Sequence, residues 1–452
     1  GDWDFYQKYL LLAIPMILQN AITNLVSFLD NIMVGQLGTE QMSGVAIVNQ
    51  LIFVYNLAIF GAVSAASIFG AQYFGKGNHK GHMYSFRFKL YATLLVTGGA
   101  ILLFLTKGSA LISLYLTDTV GNGATDLALQ YGLEYLAIMM VGLIPFAVNQ
   151  SYATNIKETG QTFIPMLASF VAVGTNAILD YLMIFGIGPF PELGVQGAAL
   201  ATVIARYIEA LIVVIWAHIH RGKNRYLEGA YTGFGIPLAE LKAILIKGFP
   251  LMMNEVLWAA GMTTVTQCYS VRGLDVVAGL NIASTITNLF NIVYLQLGSC
   301  ISIVVGQYLG AGKLEDAKDA DNKMIVFSVF CCVIMAALMF VVGGFFPGIY
   351  NTTEEIRELA TSFIAVSAII MPFCAFSHAS YFTLRSGGKT VVTFLFDSVF
   401  TWVIVVPAAY LLAHFTGLGI VSIYFLVQGT ELIKVIIGYL MVKSNVWVVQ
   451  MV

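Results

Sequence analysis

The sequence predicts an all-α integral membrane protein, with twelve transmembrane helices in two six-helix bundles related by pseudo-two-fold symmetry along the membrane normal. Three observations carry this. Of 452 residues, 58% are hydrophobic and only 10% charged, where a soluble domain carries about 25% charged residues; mean hydropathy is +0.83. Apolar stretches long enough for a helical span, about 20 residues, begin near Tyr9, Ser43, Leu90, Leu129, Phe163, Val195, Ile244, Val277, Met324, Leu359, Thr390 and Gly419. The two halves also repeat one another. A membrane β-barrel would read as short alternating segments instead of long continuous runs.

Lys and Arg set the expected direction of each span. One set of loops and both ends hold Lys8, Lys76, Lys80, Arg87, Lys89, Lys157, Arg221, Lys223, Arg225, Lys242, Lys247, Lys313, Lys318, Lys323, Arg385, Lys389 and Lys443, whereas the opposite side has Lys107, Arg272 and Arg357. Seventeen against three predicts a multi-pass plasma (cytoplasmic) membrane protein with both termini in the cytoplasm. The start, GDWDFYQKYL, has no basic n-region or cleavage site, so the first helix is expected to be retained. Net charge of −2 provides no nucleic-acid signal. Cys268, Cys300, Cys331, Cys332 and Cys374 all lie in apolar segments without metal or disulfide spacing and read as small core hydrophobes.

The longest basic stretch, HIHRGKNRYLEGAYTGFG, separates spans six and seven. It places an N-terminal lobe at 1–216, a cytoplasmic linker at 217–242 and a C-terminal lobe at 243–452. At a constant offset of 235, Pro15 meets Pro250, Gly38 meets Gly273, Gly44 meets Gly279, Asn56 meets Asn291 and Ser67 meets Ser302, and QYFGKG meets QYLGAG. Six spans per half is an even number, so both halves insert the same way up. Parallel repeats about an axis along the normal are a transporter architecture.

An ionisable residue inside the hydrocarbon costs roughly 2.5–3.5 kcal/mol on insertion scales and marks a functional site by default. Asp30 closes span one and Asp180 sits in NAILDYLMIFG of span five; both fall roughly 8 Å inside the outer surface, at about 1.5 Å of rise per residue. Asn176 is one turn deeper on the face of Asp180. Two like charges held close in low dielectric cannot both stay ionised unaided. Asp30, Asn176 and Asp180 are therefore a candidate site for a proton or Na+, with a hydrogen-bonded helix pin as the structural alternative. In the second half, Glu255, Asp397 and His378 share a level perhaps 10–12 Å from the cytoplasmic surface, and Trp258 follows Glu255 by one turn, where it can stack on a cation. Glu255 reads as a proton or substrate-cation site; Asp397 alternatively orients its helix, and His378 alternatively is a core histidine. Arg206 with Glu209, and Glu431 with Lys434, are i,i+3 pairs read as structural ion pairs. Seventeen Met, 31 Phe and 22 Tyr suit a cavity that repacks around varied apolar guests, although ordinary packing accounts for most of them.

The stretches AIPMILQN, LDNIMVGQLG, GAQYFGKGN, NAILDYLMIFG with LGVQGAALAT, GFPLMMNEVLW and VVGQYLGAGKLEDA, in this order and spacing, resemble the multidrug and toxic compound extrusion (MATE) family over essentially the whole chain. The resemblance implies a six-plus-six-helix exporter of amphipathic, often cationic small molecules in exchange for inward H+ or Na+, working by alternating access. It implies an N-lobe ion site at Asp30, Asn176 and Asp180, joined by Thr202 of ALAT, and a C-lobe acid at Glu255. Members with a C-lobe sodium site carry an aspartate on span ten; here AVSAIIMPFCAFSHASYFTL has His378 instead, and Asp397 is the replacement carboxylate. The expected function is thus a secondary active antiporter, not an enzyme, without a cofactor beyond its coupling ion, monomeric, with small molecules and lipid as partners. The alternative is a flippase for lipid-linked precursors, which needs a cationic cavity. No G-x-x-x-x-G-K-[ST] stretch is present, so the chain by itself is not an ATP-driven pump.

Overall fold

With no water in the hydrocarbon, each span must satisfy its backbone internally, so spans are helices. The protein, described by a computed structural model over residues 2–116 and 124–452, follows this rule. Among the described residues twelve helices are long and apolar enough to cross a membrane, and none forms a strand. They are α1 (Asp2–Gly35), α2 (Thr39–Lys76), α3 (His79–Ser113), α4 (Thr125–Glu158), α5 (Phe163–Phe185), α6 (Val195–Ile219), α7 (Leu238–Ser270), α8 (Leu274–Gly310), α9 (Leu314–Ile349), α10 (Glu354–Ser386), α11 (Thr390–Phe415) and α12 (Ile420–Lys443).

The repeat has a local physical cause at its turns. Gly38 between α1 and α2 has φ 143°, and Gly273 between α7 and α8 has φ 119°; a side chain disfavours both conformations. Pro15 and Pro250 sit inside α1 and α7, each removing one backbone donor from its helix. The regular helix of α11 is replaced over Leu395–Val399 and Thr401–Val405 by two π-helical turns. Such turns re-aim side chains and concentrate at functional positions.

Two compact units emerge, and their limits differ from the limits of the repeat. The first contains residues up to Ile17, Ala71–Asn78 and Lys242–Val452. The second contains Leu18–Gly70 and His79–Leu241. The division of α1 falls two residues after Pro15.

In the first unit, Tyr9, Leu12, Ala13 and Met16 of α1 pack with Leu297, Cys300 and Ile301 of α8. The Tyr9 hydroxyl donates to the Leu297 carbonyl at 2.9 Å, and Lys323 reaches Asp2 at 2.9 Å. The last turns of α2 cross α8 at the two repeated motifs. A Cβ on Gly75 would collide with the Gln307 backbone, and one on Gly310 with the Gln72 backbone. These partners are themselves 235 residues apart, so the contact is reciprocal. Gln72 also holds the end of α10 and the chain after α12: its Nε2 donates to the Ser386 and Val449 carbonyls at 3.0 and 3.1 Å, and its Oε1 accepts from the Met451 amide at 2.7 Å.

In the second unit, the segment between α6 and α7 is docked on α3. Arg87 donates through Nε, Nη1 and Nη2 to the carbonyls of Ala230, Gly235 and Gly229 at 3.0, 2.8 and 2.8 Å. Tyr226 is fully buried against His82 and Phe86. Three charge-assisted hydrogen bonds and one buried ring therefore hold this stretch on α3.

The helix crossing generates a testable consequence. Gly310→Val should destabilise the protein by about 1–3 kcal/mol, the usual cost of overpacking. Gly98→Ala, where a Cβ meets nothing within 4 Å, should be neutral or stabilising by roughly 0.5–1 kcal/mol. Thermal unfolding of both purified variants in one detergent measures the difference.

Candidate functional site

Asp30 lies in the last turns of α1, and Asn176 and Asp180 lie one turn apart on α5. The Asn176 Nδ2 donates to Asp30 Oδ2 at 3.0 Å, and the Asp30 and Asp180 carboxyl groups are close neighbours. Asp180 is fully buried. Neither of its oxygens has a donor among the described residues, and Asp30 Oδ1 and Asn176 Oδ1 are orphaned too. Four acceptor oxygens on three neighbouring side chains thus have no donor among the described residues. An arrangement of this kind is completed by a proton shared between the acids, or by a small hard cation, which takes oxygen ligands.

A second polar group in the same unit lies two turns nearer the start of α5. Ser169 Oγ and Asn149 Nδ2 both donate to Glu209 Oε1, at 2.9 and 3.1 Å, and Gln19 Nε2 donates to Ser169 Oγ at 2.9 Å.

The first unit contains a cavity of about 130 Å³. Its walls include Glu255 and Trp258 of α7, His378 and Arg385 of α10, Asp397 of α11 and Lys434 of α12. Asp397 projects from the first π turn. Its Oδ1 pairs with Lys434 Nζ at 2.8 Å and its Oδ2 accepts from Asn254 Nδ2 at 3.0 Å. Lys434 also stands over the Phe396 and Phe400 rings at 5.3 and 5.8 Å. His378 donates from Nδ1 to the Cys374 carbonyl at 2.8 Å, and its ring packs on Tyr294.

A family model described as MatE matches residues 15–182 and 250–411. The chain belongs to the MatE family. It is similar to a probable multidrug resistance protein NorM of Thermotoga maritima, 23% identical over 92% of this chain and 87% of that protein. A NorM of Halalkalibacterium halodurans is 24% identical over 91% and 88%. A solved structure of a multidrug resistance MATE family transporter, described as outward-facing, superposes with a TM-score of 0.86 over 97% of this chain and 95% of that one, at 20% identity. The MatE chain is thus a multi-pass membrane transporter and not an enzyme, built on the twelve-helix fold that its sequence predicts.

Within this MatE chain, Asp30, Asn176 and Asp180 come together. Thr202 does not join them: its hydroxyl donates to the Ala198 carbonyl of its own helix at 3.0 Å. Glu255, Trp258, His378 and Asp397 share one cavity. The two expected i,i+3 ion pairs are replaced by other partners. Lys434 turns to Asp397 across the bundle, and Glu431 Oε1 has no hydrogen-bond partner among the described residues. Arg206 lies over the Phe146 ring at 5.2 Å while Glu209 takes its two neutral donors. Sequence reasoning missed Arg385 and Asn254 as cavity residues. Arg385 had a readable signal, because His378, Tyr381 and Arg385 follow helical spacing on one face of α10; it was masked by its place near the end of a span, among loop cations.

The Asp397–Lys434 pair is mostly buried, at 17% and 8% side-chain exposure. Lys434→Met should strand the Asp397 charge and cost roughly 3–5 kcal/mol. Adding Asp397→Asn should restore most of that loss. Melting temperatures of wild type, single and double variants form the cycle that checks it.

Proposed function

We propose that the chain is a secondary active antiporter that exports amphipathic, often cationic small molecules in exchange for inward H+ or Na+. The observation that carries this reading is the Asp30–Asn176–Asp180 cluster. Two acids meet in an apolar bundle, one amide satisfies one oxygen, and the remaining oxygens lack donors. Like charges at this separation repel strongly in low dielectric, so occupancy by a proton or sodium ion changes the energy of the α1–α5 contact. Pro15 removes a backbone hydrogen bond from α1, which lets that helix adjust when the load on Asp30 changes. The ion enters from the outer face, and its release inward is coupled to alternating access of the two six-helix halves. Thr202 is within the proposal only as a residue of the neighbouring helix, without a contact to the acids.

In this reading Glu255 is the acid that meets a substrate cation, because Asp397 already has Lys434. The seventeen-to-three distribution of basic residues supports a plasma-membrane protein with both termini in the cytoplasm. The proposed working unit is a monomer.

Export of a fluorescent cation from vesicles, with a pH gradient and a sodium gradient imposed separately, tests the antiport and identifies the ion. Movement under neither gradient overturns it. Asp30→Asn should abolish ion-driven export while the protein still inserts; normal export by this variant removes Asp30 from the mechanism. Glu255→Gln should weaken export of cations more than of neutral compounds, and equal losses would count against direct charge pairing.

A further inference from the structure

The second unit contains an acid that the proposed coupling site does not use. Glu209 of α6 is held by neutral donors. Ser169 Oγ and Asn149 Nδ2 both donate to its Oε1, and no hydrogen bond reaches its Oε2 among the described residues. Arg206, one turn earlier on α6, lies over the Phe146 ring at 5.2 Å and keeps a buried Nη1 without an acceptor. Gln19 holds Ser169 in turn, so α1, α4, α5 and α6 each give one side chain to this group. The amides that build it have unsatisfied oxygens of their own. Asn149 is only 4% exposed, yet its buried Oδ1 has no donor, and neither has Gln19 Oε1. One carboxylate oxygen and two amide oxygens thus lack donors within one hydrogen-bonded group. A proton or a small hard cation satisfies oxygens of this kind.

The place of this group is tied to the acid pair. Gln19 and Asp30 are eleven residues apart on α1, and Ser169 and Asp180 are eleven apart on α5. At about 100° per residue, eleven residues return to within about 20° of the same helix face and rise about 16 Å. The same faces of the same two helices therefore carry both groups. Between them on α1 lie Thr23 and Ser27, both exposed, whose hydroxyls donate to carbonyls of their own helix at 2.8 and 3.1 Å and keep lone pairs for a guest. We infer that Glu209, with Gln19 Oε1 and Asn149 Oδ1, is a second station for the coupling ion, occupied on its way inward from Asp30 and Asp180. This inference rests on the antiport reading and adds a residue to it. A proton leaves the acid pair, which becomes ionised, passes through water along Thr23 and Ser27, and forms the Glu209 Oε2–H bond; its release inward restores the carboxylate. A sodium ion makes the same passage unchanged, from the carboxylates of the pair to the three oxygens of the station. The surrounding charges keep the stay short. Arg206 of α6 and Lys157 of α4 both act on Glu209 electrostatically, while α1 and α5 present the neutral Gln19 and Ser169. Two nearby cations weaken the hold on a third.

The rival role for Glu209 is a hydrogen-bonded pin between helices, and two variants tell the roles apart. Glu209→Gln keeps the length and an oxygen for Ser169 and Asn149 but loses the charge. Glu209→Asp keeps the charge but is one methylene too short for those bonds. The full chain in proteoliposomes gives two rates for one fluorescent cation: export driven by a pH gradient or by a sodium gradient, and exchange across equilibrated vesicles, which needs no ion release. The ratio of driven export to exchange should fall at least tenfold in Glu209→Gln, in the arm of whichever ion drives wild type, and Glu209→Asp should stay closer to wild type. A pin gives the opposite order. That opposite order, a wild-type ratio in Glu209→Gln, or loss of exchange in both variants overturns the inference. A driven wild type with an unaltered Glu209→Gln sinks this inference alone. A wild type driven by neither gradient sinks the antiport reading, and this inference with it.

Discussion

Inside hydrocarbon a carboxylate has no water to solvate it, and the whole molecule is arranged around that constraint. Each buried acid must find a base, a set of neutral donors, or a second acid with which to share a proton or ion. This protein uses all three solutions. Glu158 is held by Lys89 and by His82, the latter at 2.8 Å. Asp397 is held by Lys434 and Asn254. Glu209 rests on Ser169 and Asn149, and the fully buried Asp321 accepts from the Thr383 hydroxyl. Asp30 and Asp180 alone in this set neighbour one another, with a single amide donating to Asp30 and none to Asp180. The first arrangements give every acid a donor. The last leaves both Asp180 oxygens and one Asp30 oxygen without a donor, which is the feature the proposed coupling role draws on.

Duplication supplies the frame on which these solutions diverge. Pro15 and Pro250, Gly38 and Gly273, and the reciprocal Gln72–Gly310 and Gly75–Gln307 crossing all express one repeated set of backbone requirements. Backbone requirements tolerate little substitution, because a Cβ at Gly75 or Gly310 has no space. Cavity side chains are under no such restriction. Glu255 stands at the repeat position of Asn20, and the aspartates of the second unit pair with different neighbours from those of the other unit. One frame therefore carries an acid–acid cluster in one unit and a mixed-charge cavity in the other.

The number of spans and the two-fold repetition were legible in the sequence, because hydrocarbon thickness and backbone satisfaction act on each segment independently of its neighbours; the limits were not, since α3 begins at His79 and α9 at Leu314, well before the apolar runs at Leu90 and Met324. The meeting of Asp30 with Asp180 was legible too, since equal depth and an i−4 amide left few other arrangements. The charge partners were not. Glu431 and Lys434 lie one helical turn apart, which in water would favour their pairing. In the folded bundle a π turn in α11 brings Asp397 to Lys434, and the cross-helix contact wins. Likewise Arg385 reads as a loop cation but reaches a cavity. Span count and acid depth are one-dimensional quantities, and the chain alone determined them. Which base answers which acid depends on the rotation of each helix about its axis, and only packing in three dimensions decided that.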